Sequence, residues 1–576
     1  MPKRIVIVGG VAAGASAATK ARRMTEDAEI VVLEAGPYVS FANCGLPYYV
    51  GGEIARRRRL FVVTDRWFQR RYNVRVCLNT TATHVDPAAR TVTARQDDGS
   101  EETLAYDRLI LATGAASIIP PIDGIDRPNV LTVRTVPDAD AIVGFLDGPA
   151  TPEGARGEPP RAVVIGGGYI GIETAEQLRR RGLHVTIVEM LPQLMAAMDP
   201  EMAAPIKTAM EQAGCDVIVN DALERIADHG ARALAVTRCG REIPFDLGIL
   251  AVGVRPNVQL ARDAGLALGA TGAIRVDRFQ RTSDPAIYAA GDNSETFHRV
   301  LGRGVNIPLA GPANKAGRVA AANAALDLLG AGDDDPQRLR MPDVLGTAIV
   351  RAGETAAAVT GITETLARRE GIACEVMYLP GSSHADYYPG AAPLLLKILY
   401  APQTGRLLGA QAVGPDGADK RIDVLATAIR ADMTVDDLEG LDLCYAPPYA
   451  SAKDVPILAG FAAANARRGI SPTMTPAELL DALAGEDPPF VLDVRSRPEW
   501  DAGHLEAACH VHVNELRGRL DEVPADRPVA IYCATGYRSY VAQRILLSAG
   551  RRDVRNVLGG LSVLDQVRLA RRLAGQ

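Results

Sequence analysis

The sequence lacks any close pair of cysteines. Its 8 cysteines are scattered over 576 residues without a CxxC motif. This spacing excludes both the disulfide framework of a small secreted protein and a cysteine-based metal site. His510 and His512 stand two positions apart with no cluster of acidic ligands beside them, so they do not predict a metal site either. We therefore expect reduced thiols, a cytoplasmic location and no bound metal.

Long apolar runs and an excess of positive charge are missing as well. No apolar run reaches the roughly 18 residues of a membrane-spanning helix, and the run at residues 5–8 is too short for a secretion signal. The formal net charge is -6, which offers no general attraction to nucleic acid or to an anionic membrane. We expect neither as a partner. Residues 56–59 are four arginines, expected to be solvated surface, with contact to nucleotide phosphates as the alternative.

The chain opens with a strand, a glycine-rich turn, a helix and a second strand that ends in an acid. The turn GGVAAG at 9–14 would let the backbone and a helix N-terminus approach a pyrophosphate. Val11 replaces the middle glycine of the usual pattern, so this motif is weak by itself. The candidate nucleotide-binding residues are Gly9, Gly10, Ala13, Gly14 and, as a ribose ligand, Glu34.

A second copy of this pattern is complete. AVVIGGGYIG at 162–171 carries Gly166, Gly168 and Gly171, and the strand after the next helix ends in Glu189. Two such units predict two nucleotides, although each turn could also be only a tight strand-to-helix connection. An acid at position 189 disfavours a 2′-phosphate, so we expect NADH to be preferred and leave NADPH open.

Cys44 follows the first nucleotide unit, within SFANCGLPYY at 40–49, where a flavin would reach it. The residues four and five positions later are Tyr48 and Tyr49, so no resolving cysteine is near. Cys44 would therefore form a mixed disulfide with a diffusible thiol or be oxidised to a sulfenic acid. A buried structural cysteine is the alternative.

Cys533 opens a different loop, CATGYRS at 533–539, in which Arg538 comes five positions after the cysteine. Successive amides of such a loop can form an anion-binding nest, and with the arginine they stabilise a thiolate or a bound persulfide. Related phosphatases have one more residue between cysteine and arginine, which makes a wider cradle for phosphate. The shorter loop therefore indicates a sulfur carrier.

Residues 1 to about 460 resemble coenzyme A disulfide reductase, a member of the FAD/NAD-linked disulfide oxidoreductases. The resemblance rests on SFANCGLPYY, on YYPG at 387–390 and on YAPPY at 445–449. It implies that LATG at 111–114, with Thr113 and Gly114, and AAGD at 289–292, with Asp292, complete a site for FAD. A helix from about residue 312 would direct its N-terminus at the flavin pyrimidine.

The same resemblance implies roles for side chains around the thiol. Tyr387 and Tyr445 would reach across a homodimer and donate a proton or a hydrogen bond to the leaving thiolate, with interface packing as the alternative. The other implied contacts are to coenzyme A by Lys20, Arg23, Ser40 and Asn43, and to the nicotinamide path by Tyr169 and Glu173, with helix packing as the alternative for the last two.

Residues 475–576 resemble a single-domain rhodanese. The match rests on the Cys533 loop together with DVR at 493–495, Glu499, GHL at 503–505 and the glycine pair at 559–560. It implies that Cys533 carries a persulfide and that Arg538 supports it electrostatically. Asp493 and Arg495 would be scaffold residues near the site. A purely regulatory module is the alternative.

The expected fold is therefore α/β, with two Rossmann-like dinucleotide-binding domains, an α+β dimerisation domain and a C-terminal α/β rhodanese domain. The expected boundaries are 1–150 and 256–335 for the FAD-binding domain, 151–255 for the NAD-binding domain, 336–460 for the dimerisation domain, 461–474 for a linker and 475–576 for the rhodanese domain.

The predicted activity is FAD-dependent reduction of coenzyme A persulfide, polysulfide and coenzyme A disulfide by NADH through Cys44. The rhodanese would deliver sulfane sulfur through Cys533, and hydrogen sulfide would be released. Two rivals remain: an NADH oxidase or peroxidase that uses a Cys44 sulfenic acid, and a sulfur-trafficking or redox-sensing protein. Related peroxidases place a histidine in the first glycine loop, which here contains only Val11, Ala12 and Ala13 between its glycines.

Overall fold

A computed structural model describes residues 3–148, 159–230 and 232–575. Within these ranges the chain is an α/β protein that divides into two compact units. The first unit is Met1–Gly166, Glu173–Thr186 and Leu223–Gly346, and the second is Gly167–Ile172, Ile187–Ala222 and Thr347–Gln576. The expected domain boundary between residues 150 and 151 lies outside the described residues.

The elements up to residue 148 begin as strand, helix and strand, and include a run of consecutive strands between residues 75 and 132. The strands are β1 (Arg4–Val8), β2 (Glu29–Leu33), β3 (Arg75–Cys77), β4 (Thr80–Asp86), β5 (Thr91–Gln96), β6 (Glu101–Ala105), β7 (Arg108–Leu111), β8 (Ala115–Ser117) and β9 (Val130–Thr132), and the helices are α1 (Ala12–Met24), α2 (Leu46–Val50), α3 (Asp65–Tyr72) and α4 (Val136–Asp147).

The next stretch, to residue 346, begins with the second glycine-rich turn. Its strands are β10 (Arg161–Ile165), β11 (His184–Val188), β12 (Asp216–Ile218), β13 (Leu223–His229), β14 (Arg232–Thr237), β15 (Glu242–Phe245), β16 (Leu247–Leu250), β17 (Val254–Pro256), β18 (Ile287–Ala289), β19 (Thr296–His298) and β20 (Arg303–Val305), and its helices are α5 (Tyr169–Arg180), α6 (Pro200–Gln212), α7 (Gln259–Asp263) and α8 (Ala310–Leu329).

The remaining elements belong to the second unit. The strands are β21 (Ala348–Ala352), β22 (Thr355–Gly361), β23 (Glu375–Ser382), β24 (Pro393–Tyr400), β25 (Leu407–Gly414), β26 (Thr473–Met474), β27 (Phe490–Asp493), β28 (Ala508–His510), β29 (Val529–Tyr532) and β30 (Val554–Val557), and the helices are α9 (Glu364–Arg369), α10 (Ala418–Arg430), α11 (Val435–Glu439), α12 (Val455–Arg467), α13 (Pro476–Leu483), α14 (Arg497–Asp501), α15 (Tyr537–Ser548) and α16 (Gly560–Leu573).

The first unit is built on a parallel sheet with the strand order β18-β7-β1-β2-β3. β1 and β2 read RIVIV and EIVVL and are buried at every position but the first, as expected for strands with both faces covered. β18 pairs with β7 although Ile287 and Leu109 are far apart in sequence. The sheet is therefore completed by distant sequence. This agrees with the expectation that AAGD at 289–292 completes the first nucleotide-binding unit.

Helices α1 and α8 pack closely on one face of this sheet. Their contact is made of small residues, because a Cβ on Gly317 of α8 would lie only 2.1 Å from the carbonyl oxygen of Ala13 on α1. Alanines of both helices fill the same buried cluster. The N-terminal halves of the two helices therefore lie side by side, and charged residues on their outer faces come together.

A second nucleotide-type sheet has the order β12-β11-β10-β16-β9. β10 pairs in parallel with β16, and β16 with β9. Smaller antiparallel sheets are formed by β4-β5-β6 and by β13-β14-β15. The glycine turn that follows β10 is thus placed at the carboxyl end of a parallel strand, the usual position for a nucleotide phosphate.

The second unit contains two further sheets. One is antiparallel, β21-β22-β25-β24-β23, and the other is parallel, β26-β30-β29-β27-β28. The expected linker at 461–474 contains the end of α12, whose Ala-rich sequence favours a helix, and also β26, which pairs with β30. Only residues 468–472 connect the two elements. In the described part of the chain, no helix is both long and apolar enough to cross a membrane.

Candidate active site

The first glycine turn has the geometry that a pyrophosphate requires. Gly9 has φ +100°, and a Cβ there would lie 2.2 Å from the carbonyl oxygen of Ala112; a Cβ on Gly14 would lie 1.8 Å from the carbonyl oxygen of Gly9. Side chains are thus excluded at both positions. Glu34 accepts hydrogen bonds from the amides of Gly10 (2.6 Å) and Gly36 (2.8 Å), which holds its carboxylate at the end of β2.

The other expected FAD residues converge on the same end of this sheet. Asn293 donates to Thr113 Oγ1 at 2.9 Å, and a Cβ on Gly291 would lie 3.0 Å from that of Ala13. Asp292 is thereby brought to the start of α1, and Gly114, with φ +64°, follows Thr113. These observations fit a bound FAD, whose pyrophosphate would face the α1 N-terminus.

The second glycine turn repeats the arrangement of the first. Gly166 has φ +108°, and a Cβ there would lie 2.4 Å from the carbonyl oxygen of Ala251. Glu189 accepts hydrogen bonds from the amides of Gly167 (2.6 Å) and Leu191 (2.8 Å), so it stands as Glu34 does in the first turn. The turn fits a second dinucleotide.

The residues after the second turn divide between the two units. Gly168 has open space where a Cβ would stand, which leaves room for a phosphate beside it. Gly171 lies within α5, and burial raises the pKa of Tyr169, the first residue of α5, to about 12. Glu173 belongs to the first unit, where the structure places it beside Cys44.

Cys44 lies in a 3-10 turn, Asn43–Gly45, with an exposed side chain. The Asn43 side chain donates to the carbonyl oxygen of Arg134 at 2.5 Å. Ser40 donates its amide to the carbonyl oxygen of Gly10 at 2.9 Å and has φ +51°, a strained value for a residue other than glycine. Ser40 and Asn43 therefore fix the turn beside the first glycine loop.

The charges around Cys44 favour the thiol over the thiolate. Its pKa is raised, first by desolvation by the surrounding protein and then by the carboxylates of Glu173 and Asp292, while Arg134 lowers it. Arg134 also pairs with Asp292 at 3.1 Å. A nucleophilic thiolate therefore depends on Arg134 and on how strongly the two carboxylates are neutralised.

The two positions where a resolving cysteine would stand are held by tyrosines. Tyr48 donates to Glu173 at 2.9 Å, and Tyr49 donates to Asp140 at 3.3 Å. Asp140 also binds Arg57 at 2.6 Å, so this arginine of the 56–59 run is paired, whereas Arg56, Arg58 and Arg59 are exposed as expected. Both hydroxyls are engaged, and Cys44 has no thiol partner at either position.

A cationic face lies along α1 and α8. The pKa of Lys20 is lowered, first by desolvation and then by the neighbouring charges of Arg318 and Arg23. Sequence reasoning found Lys20 and Arg23 but missed Arg318, because it is distant in the chain and the α1–α8 packing alone brings it close. Three cations that repel one another are suited to a polyanion such as the phosphates of coenzyme A.

In the second unit, Tyr387 and Tyr445 meet. Their hydroxyl oxygens are 2.7 Å apart, although the side chains are 75% and 47% exposed. The hydrogen bond to Tyr445 raises the pKa of Tyr387. The YYPG and YAPPY segments therefore bring their first tyrosines together, and the two hydroxyls form one exposed pair.

Cys533 stands in the loop between β29 and α15, fully buried. Its sulfur accepts hydrogen bonds from the Gly536 amide (3.1 Å) and the Ser539 hydroxyl (3.4 Å). The amide of Leu561 donates to the carbonyl oxygen of Cys533 at 2.8 Å. The loop thus forms a cradle of donors at a helix N-terminus, as the sequence predicts for an anionic sulfur.

Arg538 has a partner besides the sulfur. It binds Glu499 through two hydrogen bonds, at 2.6 and 2.7 Å, and this pairing lowers the pKa of Glu499 well below its usual range. The pKa of Arg538 is raised, first by its hydrogen bonds to Glu499 and also by its contact with Cys533. Glu499 therefore orients the guanidinium towards the cradle. Arg495 donates hydrogen bonds to the Asp493 carboxylate and to the carbonyl oxygen of Gly503, each at 2.7 Å. These bonds agree with the scaffold role expected for Asp493 and Arg495.

A charged cluster with no link to the motifs lies in the core of the second unit. Among the described residues, one group of acidic side chains is close enough to share a cation: Asp199, Glu201 and Glu364. Lys397 is fully buried and its ammonium binds the three carboxylates at 2.8, 2.6 and 2.7 Å. The ammonium thus takes the place that a cation would occupy.

Comparison with protein families and solved structures identifies the domains. Residues 3–317 match the pyridine nucleotide-disulphide oxidoreductase model, residues 349–455 the dimerisation domain of that family and residues 475–565 the rhodanese-like domain. These matches confirm the predicted fold class and the predicted resemblance.

Individual relatives agree with the family models. The chain is 35% identical over 453 residues to the CoA-dependent NAD(P)H sulfur oxidoreductase of Pyrococcus abyssi. The aligned residues cover 78% of this chain and 96% of the relative. The crystal structure of reduced CoADR-RHD from Bacillus anthracis is similar with a TM-score of 0.91 and 40% identity, covering 98% of both chains. An NAD-dependent persulfide reductase from A. fulgidus is similar with a TM-score of 0.87 and 38% identity, covering 97% of this chain and 99% of the other.

The family depends on FAD and NAD(P)H, which agrees with the two glycine turns and their glutamates. The matches run through the nucleotide-binding, dimerisation and rhodanese-like segments together. The chain belongs to the pyridine nucleotide-disulphide oxidoreductase family and carries a rhodanese-like domain at its C-terminal end.

Proposed function

We propose that this enzyme reduces coenzyme A persulfide with NADH, with Cys44 as its single redox thiol. One observation carries the proposal: Cys44 is an accessible thiol without a resolving cysteine. The positions four and five residues later, where a resolving cysteine would stand, are Tyr48 and Tyr49, whose hydroxyls donate hydrogen bonds to carboxylates. A lone accessible thiol needs a thiol or persulfide from solution as its partner.

The first step is a displacement at sulfur. The Cys44 thiolate attacks the inner sulfur of the persulfide, a bond forms between Cys44 and the coenzyme A sulfur, and hydrosulfide leaves. FAD and NADH, when bound, supply the two electrons that cleave this mixed disulfide. Cys44 thiolate and coenzyme A thiolate result, and the latter takes up a proton. Coenzyme A disulfide enters the same cycle, with coenzyme A thiolate in place of hydrosulfide as the leaving group.

The FAD would be held by Gly9, Gly14, Glu34 and Asp292, and the NADH by Gly166, Gly168, Gly171 and Glu189. Lys20 and Arg23, joined by Arg318, would bind the phosphates of coenzyme A. The support for this is the cationic face that these three residues share. Ser40 and Asn43 would position the Cys44 turn beside that substrate.

The proton for the leaving thiolate would come from the Tyr387–Tyr445 pair of a second protomer. Its support is the 2.7 Å hydroxyl contact on an exposed surface of a domain that matches the family's dimerisation model. A hydroxyl that accepts one hydrogen bond is a better donor of the next. The substrate is thus expected to meet residues of both protomers of a homodimer.

The rhodanese-like domain would supply the persulfide. A persulfide on Cys533 is attacked at its outer sulfur by the coenzyme A thiolate, which forms coenzyme A persulfide and frees the Cys533 thiolate. The Gly536 amide and Ser539 hydroxyl, both directed at the sulfur, would stabilise that thiolate. Polysulfide is the expected donor that reloads Cys533.

The deciding experiment is anaerobic oxidation of NADH by the purified enzyme with coenzyme A persulfide or coenzyme A disulfide, with sulfide measured in parallel. Faster oxidation with the persulfide and one sulfide per NADH supports the proposal. Faster oxidation with coenzyme A disulfide than with the persulfide would make the enzyme primarily a disulfide reductase. Oxidation of NADH by oxygen or peroxide alone, at a higher rate than with either coenzyme A compound, would favour the oxidase reading.

A further inference from the structure

The Ser539 hydroxyl faces two acceptors in the Cys533 loop. Its oxygen lies 3.4 Å from the Cys533 sulfur and 3.0 Å from the carbonyl oxygen of Gly536. A hydroxyl carries one hydrogen and can donate to only one of the two at a time. A carbonyl oxygen accepts more strongly than the sulfur of a thiol, so the sulfur receives this hydrogen when the carbonyl is otherwise engaged.

The Gly536 carbonyl has two other donors. The amide of Tyr540 donates to it at 3.1 Å in the first turn of α15, and the side-chain amide of Asn556 donates to it at 3.2 Å. A carbonyl oxygen has two lone pairs, and these two donors together fill them. The hydrogen of Ser539 is then left for Cys533.

The parallel sheet sets the place of Asn556. This residue lies on β30 and pairs with Ile531 of β29, the strand that leads directly into the Cys533 loop. It is 8% exposed, so its contact with the loop is shielded from water. Asn556 is distant from Cys533 in the chain, and strand pairing alone brings the two together.

Only one polar end of the Asn556 side chain has an assigned role. Within the part of the chain that the structure describes, no group donates a hydrogen bond to its buried Oδ1. A buried acceptor without a partner costs stability, and a leucine of similar size would avoid that cost. Stability therefore gives little reason for an asparagine here, whereas its bond to Gly536 bears directly on the sulfur cradle.

We propose that Asn556 is a positioning residue for sulfur transfer at Cys533. It engages the Gly536 carbonyl and thereby directs the Ser539 hydroxyl to the sulfur. The inference rests on the carrier role of Cys533 in the proposed function. During transfer the coenzyme A thiolate bonds to the outer sulfur of the persulfide, and the sulfur–sulfur bond breaks with its electron pair on Cys533 Sγ. The hydrogen bond from the hydroxyl stabilises that leaving thiolate.

The test is a double-mutant cycle of Asn556→Leu and Ser539→Ala in the full-length holoenzyme, with Cys44→Ser throughout. Cys533 is loaded with inorganic polysulfide, the excess is removed, and the single-turnover rate of sulfur transfer to coenzyme A is measured. We expect each variant to lower this rate about tenfold, the loss of one hydrogen bond to a charged group. The double variant should be no slower than Ser539→Ala, because Asn556 acts through that hydroxyl.

Gln543→Leu is the matched control. Gln543 is a fully buried amide of the same domain, and it donates to the carbonyl oxygens of Pro472 and Val554 at 2.6 and 2.8 Å. Neither partner belongs to the Cys533 loop. Gln543→Leu should therefore lower the urea midpoint of unfolding and leave the transfer rate unchanged. Asn556→Leu should do the opposite: the urea midpoint should be kept and the transfer rate should fall.

The outcomes separate this inference from the proposed function. If loaded Cys533 transfers no sulfur to coenzyme A in the Cys44→Ser background, the carrier role fails and the inference fails with it. If transfer occurs and Asn556→Leu leaves its rate unchanged, the positioning role is overturned. A rate that falls by the same factor with and without the Ser539 hydroxyl would also overturn it, since Asn556 would then act by another route. If Asn556→Leu does not fold, Asn556→Ala, which also lacks the donor, takes its place in the cycle.

Discussion

The Tyr48 hydroxyl donates a hydrogen bond to Glu173 at 2.9 Å, which holds a carboxylate close enough to Cys44 to raise the pKa of its thiol. Tyr48 follows Cys44 by four residues, whereas Glu173 comes from α5 of the second nucleotide motif. The pair links the redox turn to the helix on which the nicotinamide path was expected.

We predict that Glu173→Gln lowers the pKa of Cys44, because a negative charge that disfavours the thiolate is removed. Because more thiolate is then present, alkylation of Cys44 by iodoacetamide should be faster at neutral pH. The measurement is the pH profile of alkylation in a Cys533→Ser background. Asp292 and Arg134 also act on this thiol, and Arg134→Leu should move the profile to higher pH. An unchanged profile in Glu173→Gln would show that its charge does not reach Cys44.

Cys44→Ser should reduce the oxidation of NADH by both coenzyme A disulfide and coenzyme A persulfide to background, because serine cannot form the mixed disulfide. Bound flavin, read from its visible absorbance, should be retained. Cys239→Ser is the control, since Cys239 is exposed at a turn of the same unit. Substantial turnover by Cys44→Ser would remove the single-thiol mechanism.

Cys533→Ser should leave the reduction of coenzyme A disulfide unchanged and abolish sulfur transfer from polysulfide to coenzyme A. The reason is that the cradle of Gly536 and Ser539 is then left without a sulfur to carry. Cys509→Ser, an exposed cysteine of the same domain, serves as control. Equal sulfurtransferase rates in the two variants would contradict the carrier role.

Arg318→Ala should raise the KM for coenzyme A substrates by about fivefold, the loss expected for one exposed charge pair of roughly 1 kcal/mol. The KM for NADH should not change, and added salt should narrow the difference between variant and wild type because it screens exposed charges. Arg262→Ala, an exposed arginine of α7, is the control. If both variants behave alike, the α1–α8 face does not bind the substrate.

Asp199→Asn should destabilise the second unit by about 3–5 kcal/mol, because it breaks a buried ion pair with Lys397. The folded pKa of Asp199 is lowered from 3.8 to about 2; desolvation raises it, and its bonds to Lys397 and Thr365 more than offset this. Its contribution is therefore present above about pH 4 and is lost as the pH falls towards 2. Urea unfolding at several pH values measures this contribution. The urea midpoint of the wild type should decrease as the pH is lowered from 4 to 2. The urea midpoint of the variant should be lower than that of the wild type at pH 7 and should change less with pH below pH 4. A variant with the wild-type midpoint at pH 7 would refute the pairing.

Contiguous motifs predicted much of this protein. The glycine turns at 9–14 and 166–171, the glutamates after them and the Cys533 loop were identified because their function depends on backbone conformation over a few consecutive residues. Glycines that need positive φ, such as Gly9 and Gly166, leave a direct signal in sequence. Composition was less reliable for the segment 461–474, where the first half of a small-residue stretch expected to be a linker is the end of α12.

Sequence by itself thus determined the two glycine turns expected to bind nucleotides, the lone thiol at Cys44 and the hydrogen-bonded loop at Cys533, since each is encoded locally. Tertiary structure alone decided which charges lie near these residues: Arg134 and Glu173 near Cys44, and Arg318 near Lys20. These residues are far apart in the chain, and no short-range pattern marks them. Their charges act through space over a few ångströms, so their effect depends on how helices and strands pack.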